Sequence, residues 1–264
     1  MARRARLDAE LVRRGLARSR EQAAELIDAG RVLVGGQTAT KGATGVEPAT
    51  AIVVVPDSGP SYASRGGHKL AGALDAFGYD PAGRRALDAG ASTGGFTDVL
   101  LQRAAAHVVA VDVGYGQLAW SLRTDERVTV VDRTNVRSLT PELIGGPVEL
   151  VVADLSFIPL GLVLPALVAC GRPDADLLPM VKPQFEVGKD RLPAGGVVRD
   201  PEHRLEAVRR VAEQAAALGL GVRGITASPL PGPSGNVEYF LWLRAGAPPL
   251  DDDDLRAAVR DGPQ

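Results

Sequence analysis

The chain has 264 residues, with 30 lysines and arginines against 32 aspartates and glutamates, which leaves a formal net charge of −2. Hydrophobic residues make up 45% of the chain and charged residues 23%, which excludes a disordered, collagen-like or disulfide-stabilised protein. The single cysteine, Cys170, cannot form an internal disulfide bond and is typical of a reducing compartment. At about 150 residues per domain, the length favours one or two domains.

No segment of the sequence predicts a membrane span or a signal peptide. The longest apolar run, residues 158–170, contains two prolines and is shorter than the ~20 residues needed to cross a bilayer, so it predicts a buried helix. The basic N-terminus is followed by a polar amphipathic pattern, where a signal peptide needs an apolar stretch. We therefore expect a cytoplasmic protein.

The N-terminal part of the chain predicts a small α+β domain with a basic surface. Apolar residues four apart place a helix at residues 7–14, and Ser19 with Gln22 predicts a capping box for a second helix. Short strands are predicted at residues 32–34 and 51–55. Seven arginines stand against two acidic residues in the first 20 positions, which indicates a surface for phosphates.

From about residue 64, strands and helices alternate, which predicts a mostly parallel, doubly wound α/β sheet of the Rossmann-like type. The last apolar run, residues 237–243, follows a short turn and predicts an antiparallel last strand in a hairpin at the sheet edge. We divide the chain into an α+β domain at 1–59, a linker at 60–63, an α/β domain at 64–246 and a tail at 247–264. The acidic tail is expected to be a solvated end.

A glycine-rich loop after the first strand of this sheet is the candidate cofactor site. Gly90 allows a ligand to approach the backbone, while Gly94 and Gly95 allow a tight turn into a helix. Asp112, 22 residues after Gly90, can accept hydrogen bonds from both ribose hydroxyls of a nucleoside cofactor. The spacing differs from the G-x-G-x-x-G of dinucleotide sites, and Asp88 would repel phosphate but hold the amino group of a methionyl moiety. This favours S-adenosylmethionine over NAD, with a plain strand–helix turn as the alternative.

Four ionisable residues are expected to meet at the carboxyl edge of the sheet. Asp154 and Lys182 follow apolar strands, Glu238 begins the last strand, and Lys69 precedes the first. This set suits methylation of a ribose hydroxyl, from which a base must take the proton. We assign Lys182 as that base, kept neutral with the help of Lys69, and the carboxylates as orienting groups; no metal is required. Alternatively, Asp154 is a helix N-cap and Lys182 a loop residue.

Several segments resemble known families. Arg6-Leu-Asp8, Gly15-Leu16, Ser19-Arg20 and Leu26-Ile27 resemble the small RNA-binding module named after a ribosomal small-subunit protein. The segments Asp88-Ala-Gly-Ala-Ser-Thr-Gly-Gly-Phe96, Asp112-Val-Gly-Tyr-Gly-Gln-Leu118, Asp154-Leu-Ser-Phe-Ile158, Val181-Lys-Pro-Gln-Phe-Glu186 and Gly235-Asn-Val-Glu-Tyr-Phe240 resemble a TlyA-type methyltransferase, related to the FtsJ/RrmJ group. The resemblance runs from residue 1 to about residue 245.

This resemblance implies 2′-O-methylation of cytidine in ribosomal RNA of both subunits, with S-adenosyl-L-methionine as cofactor. It also implies that Lys69, Asp154, Lys182 and Glu238 form the family's Lys-Asp-Lys-Glu tetrad. Family members are also labelled haemolysins, so membrane lysis remains an alternative, as does a ribosome-binding factor without catalysis. We expect a monomer, because the ribosomal substrate is asymmetric.

Two sets of binding residues follow from these expectations. The expected cofactor contacts are Asp88, Gly90, Ala91, Ser92, Thr93, Gly94, Gly95, Phe96, Asp112, Val113, Asn135 and Asp154. The expected RNA contacts of the N-terminal module are Arg3, Arg4, Arg6, Arg18, Arg20 and Lys41. Arg65, Arg133, Arg137 and Lys189 are expected to hold RNA backbone beside a flipped nucleotide, with Tyr115 and Phe157 as stacking faces. For Phe157 taken alone, core packing is the alternative.

Overall fold

The computed structural model describes residues 4–28, 30–55, 61–188, 191–232 and 234–263. Two of the expected RNA contacts, Arg3 and Lys189, therefore lie outside the described residues. The chain divides into two compact units, residues 1–61 and 62–264. Within the described ranges, no helix has both the length and the apolar composition needed to cross a bilayer.

The first unit packs two helices against short antiparallel strands. Its elements are β1 (Ala5–Arg6), α1 (Leu7–Arg13), α2 (Arg20–Asp28), β2 (Val32–Val34), β3 (Gln37–Thr38), β4 (Gly45–Val46) and β5 (Ile52–Val54). β2 lies between β3 and β5, and β1 pairs with β4. Leu7, Leu11 and Ile27 are buried in its core. Both predicted helices and both predicted strands are present, whereas β1, β3 and β4 have two residues each and are too short to produce a periodic pattern.

The predicted capping box of α2 is formed differently from the expected arrangement. The Ser19 hydroxyl accepts a hydrogen bond from the backbone N–H of Gln22 at 3.1 Å, as expected for an N-cap. The side chain of Gln22, however, accepts from the backbone N–H of Arg18 at 2.7 Å, one residue before the position that a capping box requires. The glutamine therefore fixes the turn that enters the helix.

The second unit contains a seven-stranded sheet among its described residues. The strands are β6 (Arg85–Ala89), β7 (His107–Val111), β8 (Val128–Val131), β9 (Val148–Ala153), β10 (Gly171–Val181), β11 (Leu220–Ala227) and β12 (Tyr239–Ala245). Their order is β11-β12-β10-β9-β6-β7-β8, and β12 is antiparallel to both of its neighbours. From β6 the chain winds outward through β7 and β8, then returns to β9 on the other side, so the sheet is doubly wound.

The predicted antiparallel hairpin at the sheet edge is present, and its outer strand is β11. β12 lies between β11 and β10 and pairs with both. The reason is burial, because residues 239–241 at the start of β12 are fully buried and need a neighbouring strand on each side.

Helices cover both faces of the sheet. They are α3 (Arg65–Phe77), α4 (Gly95–Gln102), α5 (Trp120–Arg123), α6 (Leu164–Cys170), α7 (Pro183–Glu186), α8 (Pro201–Ala216) and α9 (Asp252–Asp261), with 3₁₀ turns at Val136–Ser138 and Leu160–Leu162. α3 and α4 contribute to the core on one face, and α6, α8 and α9 to the core on the other. Successive residues of β9 alternate between the two cores, because strand side chains point to opposite faces.

The expectation of a solvated tail at residues 247–264 is wrong. Asp251 caps α9 by accepting from the backbone N–H groups of Asp253 and Asp254. Leu255 and Val259, four residues apart on the same helix face, are buried in the core of the second unit. The acidic residues are exposed, as expected, but they form the first turn of a packed helix.

Candidate active site

The four predicted catalytic residues form two lysine–carboxylate pairs. Lys69 Nζ lies 2.5 Å from Glu238 Oε2, and Lys182 Nζ lies 2.6 Å from Asp154 Oδ1. Lys69, Lys182 and Glu238 are less than one-tenth exposed, while the side chain of Asp154 is 25% exposed. Buried charges require partners of opposite sign, and here each lysine has its own carboxylate.

The sheet topology brings the two pairs to one edge. Asp154 follows β9 and Lys182 follows β10, at the carboxyl ends of neighbouring parallel strands. The last residue of β10, Val181, pairs with Tyr239, the first residue of β12, so Glu238 lies beside Lys182. Antiparallel pairing of β12 is what places a residue before this strand at the edge where the parallel strands end.

Ser156 is a third partner of Lys182 that the sequence analysis did not identify. Its hydroxyl accepts a hydrogen bond from Lys182 Nζ at 3.0 Å. The signal was present in the segment Asp154-Leu-Ser-Phe, where the serine stands two residues after the carboxylate. The N-cap alternative for Asp154 is wrong, because Pro159 occupies the N-cap of the next 3₁₀ turn. Lys182 does lie between β10 and α7, as the N-cap residue of α7, but its side chain is buried and forms an ion pair.

The backbone of the glycine-rich loop passes close to the backbone of Asp154, at the point where the strand order reverses. Gly90 has φ +89°, and a Cβ there would lie 2.4 Å from the backbone carbonyl oxygen of Asp154. A Cβ on Gly95 would lie 2.3 Å from Ser64 Oγ, because the N-termini of α3 and α4 are in close contact. Ligands of doubly wound folds bind at such a switch point, so the loop fits the expected cofactor.

Asp112 and Asn135 line the same strand edge. Asp112 follows β7, and its carboxylate accepts from the backbone N–H groups of Ser92 at 2.8 Å and Gly114 at 2.6 Å. This fixes the carboxylate next to the loop, where each oxygen retains a second lone pair for a ribose hydroxyl. Asn135 caps the following 3₁₀ turn, and Val113 is 73% exposed, as a residue that covers an adenine ring would be.

Asp88 is fully buried beneath the loop. Its Oδ2 accepts from the hydroxyl of Thr97 at 2.7 Å, which joins the end of β6 to α4. Its Oδ1 is buried and has no hydrogen-bond partner among the described residues, so this atom is the one that could receive an ammonium group. Burial raises the pKa of Asp88 to about 7, although the Thr97 hydrogen bond favours the charged form.

The expected RNA contacts of the second unit that the structure describes lie at or near the surface close to this edge. Phe157 is 90% exposed and has φ +64°, so the core-packing alternative for its ring is wrong. Tyr115 is 65% exposed, and the guanidinium of Arg133 stacks 4.1 Å from its ring centre. Arg137 is exposed, and Arg65 donates to the carbonyl of Pro231 at 3.4 Å. Trp120, 76% exposed, is an aromatic residue that the sequence analysis missed.

A cavity of about 700 Å³ opens beside the lysine–carboxylate pairs. We call it the Lys182 cavity, and it is lined by Ser156, Phe157, Lys182, Gln184, Asn236 and Glu238 among others. Its volume lies within the range of small-molecule sites. No group of three His, Cys, Asp or Glu side chains able to hold a metal ion occurs in the described part of the chain.

Glu186 connects the two segments that carry Lys182 and Ser156. Its side chain, 4% exposed, accepts from the backbone N–H of Leu160 at 2.8 Å. Burial raises the pKa of Glu186 to about 7 from its ordinary 4.5, although Leu160 and Arg210 favour the charged form. Between these two values the folded protein retains a proton that the unfolded chain has lost, so stability falls as pH rises.

Glu186→Gln is expected to remove this pH dependence, because glutamine accepts from the same N–H without ionising. The variant should unfold like the unmodified protein near pH 4.5 and be more stable by up to about 3 kcal/mol at pH 8. Urea unfolding of both proteins at several pH values measures the difference in their free energies of unfolding. Asp88 is present in both proteins, so its contribution cancels in this difference. A difference that does not change with pH would contradict the assigned titration.

The basic residues of the first unit differ in whether they form ion pairs with acidic side chains. Arg6 and Arg20 both bind Asp8 at 2.8 Å, and Arg6 holds the pKa of that carboxyl well below its usual range. Arg4 binds Glu47 at 3.2 Å. Arg18 and Lys41 are exposed and form no ion pair within the described residues. A phosphate must therefore compete with Asp8 for Arg6 and Arg20, but not for Arg18 or Lys41.

Comparison with known proteins agrees with this geometry. A model described as FtsJ-like methyltransferase matches residues 62–245, and one described as S4 domain matches residues 5–52. The chain is 64% identical to the 16S/23S rRNA (cytidine-2'-O)-methyltransferase TlyA of Mycobacterium tuberculosis, over 100% of both chains.

Two solved structures described as hemolysins are also similar. One from Streptococcus thermophilus is 34% identical and covers 98% of this chain and 96% of its own, with a TM-score of 0.78. One from Lactococcus lactis is 39% identical and covers 75% of this chain and 97% of its own, with a TM-score of 0.72. The chain therefore belongs to the FtsJ-like methyltransferase family, in its TlyA group, with an S4 domain ahead of the methyltransferase domain and S-adenosylmethionine as its methyl donor.

Proposed function

We propose that this protein methylates the ribose 2′-hydroxyl of cytidine in ribosomal RNA, that both ribosomal subunits are substrates, and that Lys182 is the base. The observation that carries the proposal is the pair of buried lysine–carboxylate contacts at the strand edge that also holds the cofactor loop. The specificity for cytidine and for both subunits is supported by the M. tuberculosis relative, which is named for 16S and 23S rRNA.

The cofactor supplies an electrophilic methyl group when bound, and the protein must supply a nucleophile. A ribose hydroxyl attacks only as its proton leaves, and Lys182 Nζ, in its neutral form, takes that proton. Asp154 Oδ1 lies 2.6 Å from this nitrogen and Ser156 accepts a hydrogen bond from it at 3.0 Å, so the nitrogen is held in place. Glu238, held by Lys69, orients the hydroxyl. The proton transfer uses only side chains of this chain, and the scheme draws on no metal.

The target nucleotide is flipped out of its helix to reach Lys182. A ribose within a duplex is poorly placed for in-line attack, and enzymes that modify nucleosides extrude them. The Lys182 cavity has room for a nucleoside, and exposed Phe157 stands at its wall. A fluorescent base analogue at the target should brighten on binding, and one that stays dark would contradict flipping.

The test is transfer of labelled methyl from S-adenosylmethionine to purified, unmethylated ribosomal subunits, followed by nucleoside analysis. We expect 2′-O-methylcytidine in both subunits. Label in one subunit would remove the claim for the other, and no label despite cofactor binding would indicate a different RNA. If the cofactor does not bind, the reading as a ribosome-binding factor without catalysis replaces this proposal.

The S4 domain is expected to bind RNA phosphates mainly through Arg18 and Lys41, which no acidic side chain neutralises in the described structure. Replacing both with alanine should weaken binding to ribosomal subunits and lower the salt slope by about 1.4–1.8, or about 0.7–0.9 per lost phosphate contact. Filter binding across salt concentrations measures this. Arg209→Ala, in α8 of the other unit, is the matched control. An unchanged slope, or a loss of cofactor affinity, would contradict the modular assignment.

A further inference from the structure

The Lys182 cavity has apolar walls suited to the faces of a base. The rings of Phe157 and Phe185 lie 5.3 Å apart at an angle of 47°, and Pro159 and Leu192 extend the apolar surface. Extruded bases are held between such side chains, which contact every base alike. Discrimination among bases therefore has to come from polar groups in the wall, by hydrogen bonds to the base edge.

Most polar side chains of the cavity already have partners. Ser156 accepts from Lys182, and Glu238 binds Lys69. The amide of Asn236 is occupied at both ends, since its Oδ1 accepts from the N–H of Val198 at 2.9 Å and its Nδ2 donates to the carbonyl of Gly196 at 2.8 Å. These contacts place Ser156 and Glu238 at the lysines of the reaction site and hold the amide of Asn236 to the backbone, so recognition of the base falls to another side chain.

Gln184 differs from them, because its side-chain amide forms no hydrogen bond with any described residue. Its Oε1 is buried and accepts no hydrogen bond from any described residue, and its Nε2 likewise donates to none of them. A buried amide oxygen without a donor costs stability, and in the wall of a cavity a ligand can supply the missing donor. The residue lies in α7, two positions after Lys182, and lines the same cavity.

We propose that Gln184 selects cytosine at the target position: Oε1 accepts from the 4-amino group, and Nε2 donates to N3. Cytosine presents a donor beside an acceptor on this edge, which is the pattern that the glutamine amide complements in adenine recognition. Uracil presents the opposite order, so it pairs only if the amide turns by 180°, which puts an NH₂ group, with a second hydrogen to satisfy, in the buried position of Oε1. This assignment rests on the proposed function, because it requires the target nucleoside to enter the Lys182 cavity.

The experiment compares Gln184→Met with the unmodified protein on ribosomal subunits that carry cytidine or uridine at the target. Methionine has a similar length and no hydrogen-bonding amide. We expect kcat/KM for cytidine to fall about 10- to 100-fold, with the uridine rate unchanged, so that selectivity collapses. Cofactor affinity should be unaltered, and the thermal transition should not fall, because the variant loses no hydrogen bond within the described structure. A variant with unchanged preference for cytidine would overturn the proposal.

Gln214→Met is the matched control. Gln214 also has a buried Oε1 without a partner in the described structure, but it packs against Gly161 in α8, outside the Lys182 cavity. Its replacement should leave base selectivity unchanged. Should this variant lose selectivity to the same degree, the effect would be one of stability, and the assignment to Gln184 would fail.

A second measurement uses the unmodified protein and does not depend on the folding of a variant. A target nucleoside that lacks only the 4-amino group should be methylated about 10- to 100-fold more slowly than cytidine. Equal rates would overturn the role of Gln184 while the methyltransferase assignment stands. If unmodified protein methylates no cytidine in either subunit, the proposed function fails instead, so the two failures are distinguishable.

Discussion

Lys182→Met is expected to reduce methyl transfer about 10²- to 10⁴-fold, the range that a general base contributes. The substitution removes the nitrogen that Asp154 and Ser156 hold at 2.6 and 3.0 Å and preserves most of the apolar stem. Single-turnover transfer of labelled methyl to ribosomal subunits measures the loss. Cofactor affinity should be unchanged, because the glycine-rich loop lies on other strands.

Lys182→Arg is the control that separates a base from a positive charge. The guanidinium keeps the charge and a contact to Asp154, but it does not lose a proton at neutral pH. We expect it to be as inactive as the methionine variant. If arginine restores transfer, Lys182 acts by charge alone, and another group takes the hydroxyl proton.

Gly90→Ala is expected to destabilise the second unit by about 2–6 kcal/mol and to abolish cofactor binding. A Cβ there would lie 2.4 Å from the Asp154 carbonyl oxygen, which belongs to the backbone and cannot turn aside. The positive φ adds backbone strain of about 1–3 kcal/mol, and overpacking a further 1–3 kcal/mol. The shift of Asp154 would also disturb its contact with Lys182. Urea unfolding and calorimetric titration with the cofactor measure both effects.

Gly116→Ala is the control that separates the cost of backbone strain from the cost of the steric clash expected in Gly90→Ala. Gly116 has φ +65°, and a Cβ there meets no atom of the described residues within 4 Å. We expect this variant to lose about 1–2 kcal/mol, the cost of the left-handed conformation alone, and to bind cofactor. Equal losses for the two glycines would mean that the close backbone approach to Asp154 has no special role.

Local patterns sufficed for much of the fold and for the choice of site residues. Strands buried on both faces are continuous apolar runs, so the ends at Asp88, Asp112, Asp154 and Lys182 could be located along the chain. The hairpin turn indicated the antiparallel last strand. The expectation of a solvated tail was wrong, because the burial of Leu255 and Val259 depends on which surfaces are left uncovered elsewhere in the second unit.

Sequence alone determined the fold class, the cofactor loop and the four ionisable residues, because these depend on residue type and on spacing within a segment. Tertiary structure decided which lysine binds which carboxylate, since Lys69 and Glu238 are 169 positions apart and meet only when β12 enters the sheet. It also decided that Gln184 has a buried amide oxygen without a partner in the described structure. Contacts between residues far apart in the chain depend on strand order and burial, and neither can be derived from the spacing of residues within a segment.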